Sequence, residues 1–181
     1  MDALNLENYM SPEVMSGIKQ IFLAPINQPD MVPTLVPIIL GGIVLELYFG
    51  KYEDEDLGWN SSVSNSVIWI STGITLYLTA DINDPLEQAV TFFLLGIGVL
   101  TGYLNFFHKW SSSVAFLASS SGMVYSLAYV SVVIIKSGMP VNQTTIRSAI
   151  IALTFIGIGF QIIKILEPPA RDDFDIDMSR R

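Results

Sequence analysis

Cysteine is missing from all 181 residues. Without a thiol there is no disulfide, no thiolate metal site, no iron–sulfur cluster and no cysteine nucleophile. Histidine occurs once, so a histidine-rich metal site is excluded as well. Charge is scarce: 14% of residues are Asp, Glu, Lys or Arg, against roughly 25% in a soluble domain. Basic charge is scarcest, with 9 Lys and Arg against 17 Asp and Glu and a net charge of −8. Nucleic acid is met by clustered Lys and Arg, so it is not an expected partner. The same deficit gives no electrostatic pull onto anionic lipid. The first ten residues are acidic and lack a basic n-region, so a cleavable signal peptide is not expected.

What the chain has is apolar sequence. Hydrophobic residues make up 51% of it, and the mean hydropathy is +0.51. A helix needs about 20 apolar residues to cross roughly 30 Å of hydrocarbon. Five runs meet that length: 31–50, 61–80, 88–107, 113–135 and 148–166. The connections between them are short, which makes sequential helices antiparallel neighbours. The expected fold class is therefore all-α: a polytopic membrane protein with a five-helix transmembrane bundle over 31–166.

Residues 1–30 read differently. Ser11-Pro12-Glu13 is a helix start, with a capping hydroxyl, a proline at the first helical position and an early acid. Val14, Ile18, Ile21 and Phe22 then recur at helical spacing, with Lys19 and Gln20 off that face. This stretch is too short to span and is expected to be an amphipathic helix at the interface. Residues 167–181, after Pro168-Pro169, form an acidic tail. Counting basic residues by side puts Lys19, Lys136 and Arg147 opposite Lys51, Lys109, Lys164, Arg171, Arg180 and Arg181. The richer side is cytoplasmic, which places the N-terminus outside and the C-terminus in the cytoplasm.

Small residues let helices approach closely where the hydrophobic drive between them is weak. Gly98 and Gly102 lie on one stripe of the third run, and Ala115, Ser119, Gly122 and Ser126 on one stripe of the fourth. Gly157 shares a face of the fifth with Thr154, Gln161 and Lys164. In the alternating topology Glu46, Asn65, Asn105, Gln161 and Lys164 all fall toward the cytoplasmic ends of their helices. They are either a hydrated ion cluster, with Glu46 and Lys164 in reach of each other, or ordinary boundary polar groups and interhelical amides.

Other motifs carry less. Ser119-Ser120-Ser121-Gly122 resembles the serine-containing turn of rhomboid-type intramembrane proteases. A serine nucleophile needs a base within reach, and the lone His108 is not on a separate helix facing it. The acidic run 53–56 reads as a solvated charge run. Asp173-x-Asp175-x-Asp177 opens like a calcium loop but lacks the glycine and the distant glutamate. Asn142-Gln143-Thr144 and Asn60-Ser61-Ser62 match the glycosylation sequon. No catalytic residues, metal site or cofactor are expected. The expected partners are the bilayer and other membrane-protein chains, with this chain a structural or accessory subunit of a larger assembly. The competing expectation is a small oligomeric channel or carrier.

Overall fold

A computed structural model describes residues 10–51 and 59–166. The acidic run 53–56 and the tail with Asp173, Asp175 and Asp177 lie outside the described residues, as do Arg171, Arg180 and Arg181. Among the described residues all regular structure is helical. The helices are α1 (Pro12–Asn27), α2 (Val32–Lys51), α3 (Trp59–Thr79), α4 (Pro85–Phe106), α5 (Ser112–Ala118), α6 (Ser121–Lys136) and α7 (Gln143–Leu166), with a 3-10 turn, Pro29–Met31, leading into α2.

Local chemistry sets most of the ends. The α1 start follows its sequence signature: the Ser11 hydroxyl accepts from the Val14 amide at 3.4 Å, and Pro12 occupies the first helical position. The same hydroxyl, and then the Glu13 backbone amide, hold the Glu13 carboxyl below the usual carboxylate range. At α4 the Asp84 carboxylate accepts from the Leu86 amide at 2.7 Å ahead of Pro85. α6 stops at Gly138, whose φ of 65° suits a residue without Cβ. Beyond it the Met139 amide bonds back to the Ile134 carbonyl at 3.1 Å. Asn142 Oδ1 then receives the Thr145 amide at 2.9 Å and opens α7.

Four stretches are long and apolar enough to cross a membrane: Pro29–Leu47, Pro85–Phe106, Ser112–Lys136 and Gln143–Ile163. The run at 61–80 is a helix of similar length, α3, but does not join those four. Its polar residues lower its average hydropathy, yet Ser62, Asn65, Ser66 and Thr72 are buried inside the bundle. The run at 113–135 is not one helix. It divides into α5 and α6 at Ser119-Ser120, a correction to the continuous span its hydropathy suggests.

α6 is the central helix and packs against α1, α2, α3 and α7. Val124, Ala128, Val132 and Val133 on it are fully buried. α4 lies to the outside, paired mainly with α3. Gly98 makes that pairing possible: a Cβ there would come 2.8 Å from the Ile70 backbone nitrogen and the Trp69 Cβ. Gly102, one turn on, would bring a Cβ 3.5 Å from Ser66 Cβ.

α1 is docked along α6 and α7. Val14, Ile18, Ile21 and Ala24 are buried there, whereas Phe22, expected on the same apolar face, is 40% exposed. Pro25 sits inside α1 and has no amide hydrogen to give the Ile21 carbonyl four residues back. Tyr129 of α6 supplies the missing donor, its hydroxyl reaching Ile21 O at 3.1 Å. Tyr129→Phe is therefore expected to strand a carbonyl and to cost about 1 kcal/mol, read as a shift in unfolding midpoint in detergent. An unchanged midpoint would mean that the carbonyl finds water instead.

Candidate functional site

The break between α5 and α6 organises the polar interior. α5 ends as the Ser119 amide bonds to Ala115 O at 3.0 Å and the Ser120 amide to Leu117 O at 3.3 Å. α6 begins with the Val124 amide on Ser120 O at 3.0 Å. Serine side chains compete with the backbone for such bonds and favour helix ends over interiors. Three serines in a row thus give the chain a place to restart.

Two asparagines close around the break from neighbouring helices. Asn65 of α3 donates from Nδ2 to the Ser119 carbonyl at 2.7 Å. Asn105 of α4 has Nδ2 within 2.9 Å of Ser119 Oγ, 3.1 Å of Ser62 O and 3.2 Å of Ser66 Oγ. The Trp110 indole donates to Asn105 Oδ1 at 2.8 Å. That bond fixes the amide: oxygen toward the indole, nitrogen toward the three oxygens. Ser66 also donates to Ser62 O at 2.9 Å. Asn105 and Ser119 are completely buried, and Asn65 is 2% exposed. The Ser62 hydroxyl and the Trp69 indole nitrogen are buried on α3 with no hydrogen-bond partner among the described residues.

Glu46 meets the break from α2. It is 2% exposed, and its Oε1 accepts from the Ser121 hydroxyl at 2.7 Å. Gly122 lets the carboxyl lie against the first turn of α6, because a Cβ there would stand 3.2 Å from Oε1. An acidic group at a helix N-terminus faces the favourable end of the helix dipole.

Glu46, Asn65 and Asn105 thus converge on Ser119–Ser121. Gln161 does not join them and is exposed on α7. The Lys164 side chain lies outside what the structure describes, so a pairing with Glu46 is not part of this geometry. Ala115 is completely buried on α5, and the Ser126 hydroxyl turns back to the Gly122 carbonyl. Around Gly157 there is open space.

Sequence reasoning missed Ser62, Ser66, Ser121 and Trp110 as partners. Trp110 reads as a boundary aromatic. Only the run Ser119-Ser120-Ser121-Gly122, with its low helix preference, signals a break. A surface recess of about 380 Å³, lined by Trp59, Val63, Ser64, Asn105, Phe106 and His108, ends on Asn105. Trp59 and His108 stack at its edge, 4.0 Å between ring centroids.

Chemically, this arrangement is a set of interhelical hydrogen bonds joining α2, α3, α4 and the α5–α6 break. Among the described residues no three His, Asp or Glu side chains gather as a metal site would require. Compared with known protein families, curated proteins and solved structures, the chain matches none.

Proposed function

We propose that the chain is an integral membrane protein and acts as a structural or accessory subunit of a larger membrane assembly, with no catalytic step of its own. One observation carries this: the polar side chains that meet at the α5–α6 break are spent on one another. Asn65 and Asn105 are committed to Ser119, and Glu46 takes the Ser121 hydroxyl. A network of this kind locks helices together and leaves the outer faces for lipid and for other chains. Native mass after mild detergent extraction, with co-purifying chains identified, tests it. A large assembly containing other proteins is expected; a lone monomer would overturn the reading.

In this reading α3 crosses the membrane as a fifth span, because Ser62, Asn65, Ser66 and Thr72 face protein, while the exposed hydroxyls of Ser71 and Thr79 are turned back to the carbonyls of Ile68 and Thr75. α1 lies at the outer boundary, docked on the bundle. The termini then lie on opposite sides, N-terminus outside and C-terminus in the cytoplasm. Reporter fusions at the two ends are expected to report opposite sides, and the same side at both would leave only four spans.

A second reading, a small oligomeric channel or carrier, draws on the break at Ser119-Ser120. Discontinuous helices commonly form ion and substrate sites in transporters, and the recess beside Asn105 would be an approach from one side. Glu46→Gln separates the two readings, since the amide oxygen still accepts from Ser121 while the ionisable carboxyl is gone. Assembly is expected to survive this change. Loss of ion flux in liposomes with assembly intact would establish the channel or carrier instead.

A further inference from the structure

α1 has three sides rather than two. Val14, Gly17, Ile18, Ile21 and Ala24 are buried against the bundle. At about 3.6 residues per turn the remaining positions divide into two flanks. Glu13, Ser16, Gln20 and Asn27 form one, and all four are polar and exposed. Met15, Phe22 and Ile26 form the other, on the far side of the buried strip. All three are apolar, and they are 37%, 40% and 73% exposed. Pro12, Lys19 and Leu23 stand on the crest between the flanks, exposed as well.

A second observation orients these flanks. A surface recess of about 430 Å³ lies between α1 and the connection from α6 to α7. Glu13, Ser16 and Gln20 line it from α1, with Pro140, Asn142 and Thr145 opposite, and no residue of the apolar flank takes part. That connection joins two stretches long and apolar enough to cross a membrane, so it stands at a membrane–water boundary. The polar flank thus faces the water, and the apolar flank faces the other way, along the sides of the spans. The exit of α1 stays at the same level, because Pro29–Met31 leads directly into α2, itself of spanning length. The 16 residues of α1, about 24 Å of helix, therefore run along the boundary. Beside it α7 turns Ile146, Ile150 and Phe155 outward, so the apolar flank continues a surface that a span already exposes.

Charge narrows the partner further. α1 carries one base, Lys19, and one acid, Glu13, and Asp30 follows it. Anionic headgroups are met by clusters of about four to eight Lys and Arg, which this segment lacks. We infer that α1 is a lateral lipid anchor. Met15, Phe22 and Ile26 enter the acyl chains of one leaflet, Glu13, Ser16, Gln20 and Asn27 stay in water, and the attraction is apolar rather than to lipid charge. The anchor rests on the membrane setting of the proposed function and adds to it the partner of α1's free surface.

Because the chain has no cysteine, single substitutions place one nitroxide label each in the full protein. Met15→Cys, Phe22→Cys and Ile26→Cys report one flank, and Ser16→Cys, Gln20→Cys and Asn27→Cys the other. Phe92→Cys on α4, 54% exposed, reports the bilayer itself. The labelled protein is released from native membranes in polymer-bound lipid discs, which keep neighbouring chains in place. Collisions with oxygen, which concentrates among acyl chains, are compared with collisions with a water-soluble nickel chelate. Oxygen is expected to dominate several-fold at Phe92 and on the apolar flank, at a depth of about 5–10 Å, and nickel on the polar flank. The same contrast is expected in phosphatidylcholine liposomes with or without phosphatidylglycerol. Nickel access on both flanks would overturn the anchor, and nickel access at Phe92 too would overturn the membrane setting with it. Screening of the apolar flank from both reagents would show another chain covering it, and a contrast that needs phosphatidylglycerol would show recognition of charge; either overturns the anchor. A failed anchor with co-purifying chains leaves the subunit reading standing, whereas the expected contrast on a lone monomer removes that reading and keeps the anchor.

Discussion

Gly98→Leu is expected to separate α4 from the rest of the molecule. Even the single methyl of Gly98→Ala would sit 2.8 Å from the Ile70 backbone nitrogen, Ile70 Cγ1 and Trp69 Cβ. A backbone atom cannot swing aside as a side-chain tip can, so the helices must move apart. Overpacking of this kind costs about 1–3 kcal/mol, against which alanine's better helix propensity returns up to ~1 kcal/mol. Leucine adds three more carbons and leaves no register in which α3 and α4 keep their packing. Because α4 rests mainly on α3, little else holds it. Trp69 is 2% exposed at this junction, so tryptophan emission during denaturant unfolding in micelles reads the change directly. Gly96→Ala is the control: apart from its own helix backbone and chain neighbours, none of the described residues lies within 4 Å of its Cβ position, and it is expected to be neutral or mildly stabilising. Equal behaviour of the two alanine variants would show that the close approach at Gly98 is not what holds the pair.

Asn105→Ala carries the second large effect. It deletes the donor shared among Ser119 Oγ, Ser62 O and Ser66 Oγ, together with the acceptor for Trp110. Interhelical hydrogen bonds inside membranes average ~0.6 kcal/mol and reach ~1.7. Removing all of these bonds at once, and leaving their former partners fully buried, is expected to cost about 2–4 kcal/mol. Trp110→Phe removes only one of them and is expected to cost about 1 kcal/mol. Asn105→Asp keeps the acceptor for Trp110 and can take hydroxyl hydrogens from Ser66 and Ser119, but it loses the donor to Ser62 O and buries a carboxyl, so it is expected to cost about as much as alanine. Unfolding midpoints of the three variants give the ranking. An Asn105→Ala cost no greater than that of Trp110→Phe would show that the hydrogen bonds to Ser62, Ser66 and Ser119 contribute nothing.

Much of the helical layout is legible in the sequence because apolar runs of this length have few alternatives. The run at 88–107 corresponds to α4, Pro85–Phe106, and the Asp84-Pro85 cap explains the earlier start. α7 begins at Gln143 rather than 148, because Gln143 through Arg147 look like a polar connection while Asn142 caps them into the helix. The division at Ser119-Ser120 is invisible to hydropathy, since serine is nearly neutral on such a scale and the small-residue stripe runs through it unbroken. Likewise α3 has the length of a span and turns Ser62, Asn65, Ser66 and Thr72 inward while Ser64, Ser71 and Thr79 stay exposed, and an average over residues cannot tell an inward serine from an outward one. The meeting of Glu46, Asn65 and Asn105 at one end follows from short connections and antiparallel neighbours. Their actual partners do not, because Ser119–Ser121 enters the network only once the chain breaks there. Gln161 marks the opposite limit: sequence depth groups it with the others, while the rotation of α7 turns it outward.

The docking of α1 has a consequence for how the molecule is made. Its carbonyls at Val14 and Ile21 receive hydroxyls from Ser148 and Tyr129, 134 and 108 residues further along the chain. At about 5–20 residues per second of synthesis, Ser148 follows Val14 by roughly 7–27 s. Of the described helices, the one made earliest is thus seated only once the one made latest is in place. Until α7 arrives, the buried face of Val14, Ile18 and Ile21 has to be sheltered by something other than its final neighbours.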